Sequence, residues 1–390
     1  MIMAMIRPAK LLSSLDPFLV CLVLVVGTAS ALPVHGRAAG WVEMLAVAAI
    51  MLLFFLHGAK LSRAAIVQGI GNWRLHLMVL ASTYIWFPAV GLALMALTHG
   101  RIDPLLLSGL LYLTLLPSTV QSSIAFTAMA GGNVAAAVCS ASLSNLAGIF
   151  LTPLLVGLFM RIEGHGAGFS WHSIETIAIQ LLLPFLAGHL LRPLIGGFID
   201  RNKKVLQAVD RSSILLVVYS AFSAAVIHGI WMRVSGFDLV VLLALSGVVL
   251  AFIMAVNAGI ARLAGLPRED AIVLLFCGSK KSLVSGVPMA GAMFPPSQVG
   301  LVILPLMIFH QLQLFVCAAL AGRYRRQGEA IRAAAADRGG VIPQDERGIE
   351  AAAAEAGLPI PAACMPGVIA NLDLLGRHAA ILGGTPDIPR

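Results

Sequence analysis

"FCGSKKSLVSG", residues Phe276 to Gly286, sets two adjacent lysines, Lys280 and Lys281, in a stretch that is otherwise small or apolar. Where those amines sit depends on the solvent around the chain. Only 11% of the residues are charged and 59% are hydrophobic, with a mean hydropathy of +0.93. A soluble domain carries about 25% charged residues. So few charges could not cover a soluble core of this size. Long apolar runs recur to about residue 322, and a bilayer helix needs about 20 apolar residues. The composition therefore reads as an all-α polytopic membrane protein, since barrel strands would be short and strictly alternating.

Ten spans are expected near 16–34, 40–58, 73–97, 104–130, 133–159, 173–192, 212–231, 237–264, 269–294 and 297–321. The first follows Arg7 and Lys10, and Ala29-Ser30-Ala31 resembles a leader-peptidase site; retention of that span is the expectation. Connectors on one side hold sixteen basic residues: Arg7, Lys10, Lys60, Arg63, Arg74, Arg192, Arg201, Lys203, Lys204, Arg211, Arg262, Arg268, Arg323, Arg325, Arg326 and Arg332. The other side holds four, Arg37, Arg101, Arg161 and Arg233. This bias puts both termini in the cytoplasm. The net charge of +8 is thus spread over connectors and does not form a nucleic-acid face. Residues 1–322 are expected to form the membrane domain. Residues 323–390, with alanine runs broken by glycine and proline, read as a poorly ordered cytoplasmic tail.

The fourth and ninth spans are not simple helices. The fourth contains Pro117-Ser118-Thr119-Val120-Gln121-Ser122-Ser123. The ninth contains Gly278, Ser279, both lysines, Ser282, Ser285, Gly286 and Pro288. Proline removes a helix hydrogen bond and glycine loosens the backbone. Such breaks persist in a membrane only against protein or a wet cavity. At an offset of 160, Ser122, Met129, Ala130 and Gly131 fall on Ser282, Met289, Ala290 and Gly291. Equivalent interrupted spans in two inverted five-span halves point to a transporter site near the midplane.

A lysine at that depth costs about 2.5 kcal/mol or more, and normally faces a cavity or a partner. Neighbouring lysines on a helix point about 100° apart, so they need not share a role. One or both can line a central site and hold an anion, take the place of a metal cation, or snorkel to headgroups. Loss of a proton from either amine would suit a proton-coupled cycle. Ser118, Thr119, Gln121, Ser122 and Ser123 join the candidates, as do Ser279, Ser282 and Ser285. On the fifth span, Ser140, Ser142, Ser144 and Asn145 alternate polar and small groups. Asn257, His310, Gln311 and Gln313 are further polar residues at depth. Cys21, Cys139, Cys277, Cys317 and Cys364 form no CxxC pair or zinc spacing. No catalytic motif stands in its required context, so an enzyme is not expected.

The ten-span plan, "LPSTVQSS…GGNVAAAV", "LTPLL" and "FCGSKKSLVSGVPMA" resemble the bile acid–sodium symporter superfamily. The similarity is to its SBF-like branch, which also holds solute carrier family 10 member 7, and covers about residues 10–325. The resemblance implies interleaved panel and core subdomains, with the fourth and ninth spans crossing in the core. It implies a bacterial inner membrane, organic-anion transport by alternating access, and no cofactor beyond a coupling ion, sodium or proton. It puts a sodium near Ser122, Ser123 and Asn145. Ala137 and Ala141 replace two further ligand positions, Phe276 a glutamate, and Lys280-Lys281 a Gln-Asn pair. A charged amine only donates and cannot bind sodium, so two-sodium coupling is not expected. The partners expected are the bilayer, a small organic anion and a second copy of the chain, with no nucleic acid. The other reading is a non-transporting membrane protein that regulates ion homeostasis.

Overall fold

Apolar side chains cover the outside of most helices, and polar groups converge where helices break. In a computed structural model the described residues are 17–60, 72–98, 102–160, 178–229, 232, 234–338, 345–355, 358 and 360–383. Every element among them is a helix. They are α1 (Pro17–Ala31), α2 (Arg37–Lys60), α3 (Trp73–Thr98), α4 (Pro104–Leu115), α5 (Gln121–Met129) and α6 (Val134–Phe159). There follow α7 (Leu183–Arg201), α8 (Lys203–Ile227), α9 (Gly236–Leu263), α10 (Arg268–Gly278), α11 (Leu283–Met293) and α12 (Pro296–Arg338). The last two are α13 (Glu346–Glu355) and α14 (Met365–Gly383). Arg7, Lys10, Arg63, Arg101, Arg161 and Arg233, counted above for orientation, lie outside the described residues.

Eight helical stretches among the described residues are long and apolar enough to cross a membrane, and two shorter apolar helices accompany them. The chain is a polytopic helical membrane protein. The helix expected over 212–231 starts at Lys203; its first turns are polar and carry it past the apolar stretch. By its packing the chain divides into two units, Met1–Arg323 and Tyr324–Arg390. In the second unit α13 and α14 pack on each other, and Asp373 pairs with Arg377 one turn on.

Local chemistry starts the helices. Asp103 accepts from the amides of Leu105 and Leu106, with Pro104 pre-set at the first helical position. Asn133 caps α6 through Ala136 N at 3.0 Å. Ser235 and Asp238 form a reciprocal capping box on α9.

Helices α1, α2, α7 and α8 pack on one another. The tightest crossing is α2 against α7. A Cβ on Gly58 would lie 2.0 Å from Phe185 O, and one on Gly188 would lie 2.0 Å from Phe55 O. Only glycine at both positions admits this approach. Around the breaks, α10 packs against α3, α5, α6 and α9. The Arg268–Met293 stretch has 94% of its most apolar window buried, the largest share of any span. It is the centre of the unit.

Candidate functional site

Both interruptions expected from the sequence are present. The fourth apolar run stops at Leu115 and resumes at Gln121; the ninth stops at Gly278 and resumes at Leu283. A broken helix exposes carbonyls at its first end and amides at its second. The two breaks meet, and each supplies the other's missing partners. Ser118 Oγ donates to Cys277 O at 2.5 Å and Ser123 Oγ to Phe276 O at 3.2 Å. Ser82 Oγ of α3 donates to Gly278 O at 2.8 Å. In return the amide of Ser282 donates to Pro117 O at 2.9 Å.

The third span holds an irregularity that matters here. A π-turn over Ser82–Trp86 makes Phe87 N donate to Ser82 O. Thr83 O is thereby deprived of its usual i+4 donor, and the residue five along is Pro88, which has no N–H. In α4, Thr114 O loses its usual donor because Ser118 N turns to Ser144 Oγ at 3.1 Å. Leu116 O is likewise left at the open end of the broken run.

These three orphaned carbonyls converge on Lys281. Its Nζ donates to Thr83 O at 2.9 Å, Thr114 O at 2.8 Å and Leu116 O at 2.6 Å. All three ammonium hydrogens are thus used. The amine also lies 4.1 Å from the Phe87 ring centroid and 5.9 Å from that of Tyr84. The Lys281 peptide is held separately: its N–H donates to Gln313 Oε1 at 2.8 Å, and its C=O accepts from Gln313 Nε2 at 2.9 Å.

Lys280 is different. It is as deeply buried as Lys281, at 0% exposure. Its Nζ has no hydrogen-bond partner. It lies 4.2 Å from the Phe126 ring centroid and 5.6 Å from that of Phe276. The chain is not helical between Gly278 and Leu283, and the two amines reach different sets of neighbours. Both lysines are inside protein, and neither reaches out to the surface of the unit.

The other candidates divide between the breaks and the rim. Thr119 Oγ1 bonds the hydroxyls of Ser122 and Ser123 at 2.8 and 2.9 Å. Ser282 caps α11 through Ser285 N at 3.2 Å. Ser285 Oγ donates to Asn145 Oδ1, and Asn145 Nδ2 donates to Ser118 O. Ser279 Oγ accepts from Asn257 Nδ2 at 2.9 Å, which leaves Asn257 Oδ1 buried without a partner. Ser144 joins the break through Ser118, and its own carbonyl accepts from Tyr84 OH. Ser140 is paired with buried His76 at 2.7 Å. Gln121 is exposed and accepts from Gln207 of α8 at 3.4 Å.

Near Ser122, Ser123 and Asn145, where the resemblance puts a sodium, the side-chain oxygens already have protein partners. Ser82, Thr83, the π-turn, Tyr84, Phe87 and Phe126 were not singled out from the sequence. Pro88 following "STYIWF" is the signal that could have drawn attention to them.

A family model described as the SBF-like CPA transporter family matches residues 16–326. YfeH of Escherichia coli strain K12 is 55% identical over 324 residues, which is 83% of this chain and 97% of that protein. Protein PA2026 of Pseudomonas aeruginosa is 52% identical over 322 residues, covering 83% and 96%. Sodium/bile acid cotransporter 7 of Mus musculus is 27% identical over 315 residues, covering 78% and 90%. The match covers most of the chain and includes both broken helices, so this chain belongs to the SBF-like CPA transporter family.

Proposed function

We propose that the protein is a secondary active transporter of a small organic anion, and that Lys280 is the group that meets the anion. The observation that carries this reading is the Lys280 amine, fully buried and without a hydrogen-bond partner. A buried unpaired charge costs several kcal/mol. Contact with the Phe126 face offsets part of that cost, about 2 kcal/mol in a desolvated setting. The remainder is tolerable if the working cycle brings an anion to the amine.

The finer architecture belongs to the same reading. It has ten spans in two inverted five-span halves, both termini in the cytoplasm of a bacterial inner membrane, and alternating access of a core against a panel formed by α1, α2, α7 and α8. The driving gradient is sodium or proton. The cotransporter name borne by the vertebrate relatives supports coupled transport.

Purified protein in liposomes, given a sodium or a proton gradient and a panel of carboxylates and bile acids, tests this. Gradient-driven accumulation of at least one anion is expected, with loss of that accumulation in Lys280→Gln. No accumulation under either gradient would favour the regulatory reading instead.

A further inference from the structure

We infer that Lys281 carries, covalently, the one cation that holds the two broken helices together, and that the crossing needs no free metal ion. The inference stands on the carbonyl geometry alone and does not depend on transport.

Three backbone oxygens from two separate elements point at one place, at 2.9, 2.8 and 2.6 Å from Nζ. Converging carbonyls are a cation site, because their dipoles replace an ion's hydration shell. The faces of Phe87 and Tyr84 add attraction of the same sign. No carboxylate pairs with Lys281 among the described residues. The cradle is therefore built for one positive charge held by neutral oxygens.

Each carbonyl is free for a local reason already given: the π-turn with Pro88 for Thr83, and the broken end of the fourth run for Thr114 and Leu116. Those reasons lie outside the lysine. Removing the ammonium would leave the oxygens converging, with a gap about the size of the lost side chain. An ammonium group is close to potassium in size, so potassium, ammonium or methylammonium fits that gap better than sodium. Choline does not fit. Lys280 touches no such carbonyl set, so its removal creates no such site.

The experiment is thermal unfolding of the purified full chain in one detergent, at equal ionic strength, in choline, sodium, potassium, ammonium or methylammonium chloride. Wild type is expected to melt at the same temperature in choline, potassium, ammonium and methylammonium. Lys281→Ala is expected to melt lower in choline and to regain several degrees in potassium, ammonium or methylammonium. Lys281→Met, whose side chain fills the gap without charge, is expected to melt low in every salt. Lys280→Ala is expected to show no cation preference. A folded Lys281→Ala variant indifferent to the cation overturns the inference. So does a rise in wild type specific to potassium, ammonium or methylammonium, which is decisive even if the alanine variant does not fold; a rise in sodium alone reports a coupling ion bound elsewhere and leaves the Lys281 cradle as described. Failed uptake in liposomes would leave these melting results intact, so the two readings fail separately.

Discussion

Gln313 holds the Lys281 peptide as a neighbouring strand would, through both its N–H and its C=O. Its Nε2 also lies 2.9 Å from His310 Nδ1. Leucine at 313 would leave two buried backbone groups without partners, at about 1–3 kcal/mol each. Gln313→Leu is therefore expected to lose about 2–6 kcal/mol in denaturant titration. Gln313→Glu keeps the acceptor for Lys281 N–H but loses the donor for Lys281 C=O, and should fall between. The burial of the two lysines was legible in the sequence, because apolar residues flank them on both sides. Their division of labour was not. It depends on Thr83 O being free 198 positions away in the chain, and on a non-helical backbone that no helical wheel describes.

At the scale of elements, the breaks were legible because proline and glycine have local consequences that need no neighbours. Pro117 and Gly278 stand at the edges of the interruptions found. Ser118 and Ser123 stood among the candidate site residues. In the structure both donate to the carbonyls of the opposite break. Alanine at either position should cost about 1–3 kcal/mol by stranding a buried carbonyl, read as a lowered melting temperature before any anion is added. The α2–α7 crossing carries its own signature, "FFLHG" at 54–58 against "PFLAG" at 184–188. A Cβ at Gly58 or Gly188 would meet backbone rather than a side chain that can swing away. Each glycine-to-alanine change should cost at least about 1–3 kcal/mol. The double variant should cost less than the sum, because one separation of the helices relieves both contacts. Thermal unfolding of the two single variants and the double variant measures that coupling.

At the scale of the whole molecule, low charge and long apolar runs made the membrane class plain, while the alternation of basic connectors gave an expected orientation only. Packing among spans was not legible, because every span is apolar on most faces and carries little periodic signal. The family match ends at residue 326, while the chain continues to 390. A chain ending at Arg338 is expected to keep the melting temperature of the full protein; a clear drop would tie the tail to the stability of the membrane unit. Two neighbouring amines stand in opposite circumstances, one satisfied three times over and one not at all. The melting temperatures of Lys280→Met and Lys281→Met in the same detergent read that difference most directly. Lys281→Met is expected to fall sharply, by the equivalent of at least about 3 kcal/mol, while Lys280→Met holds or rises, if one amine is bound and the other is not. Equal losses, or the reverse order, would contradict it.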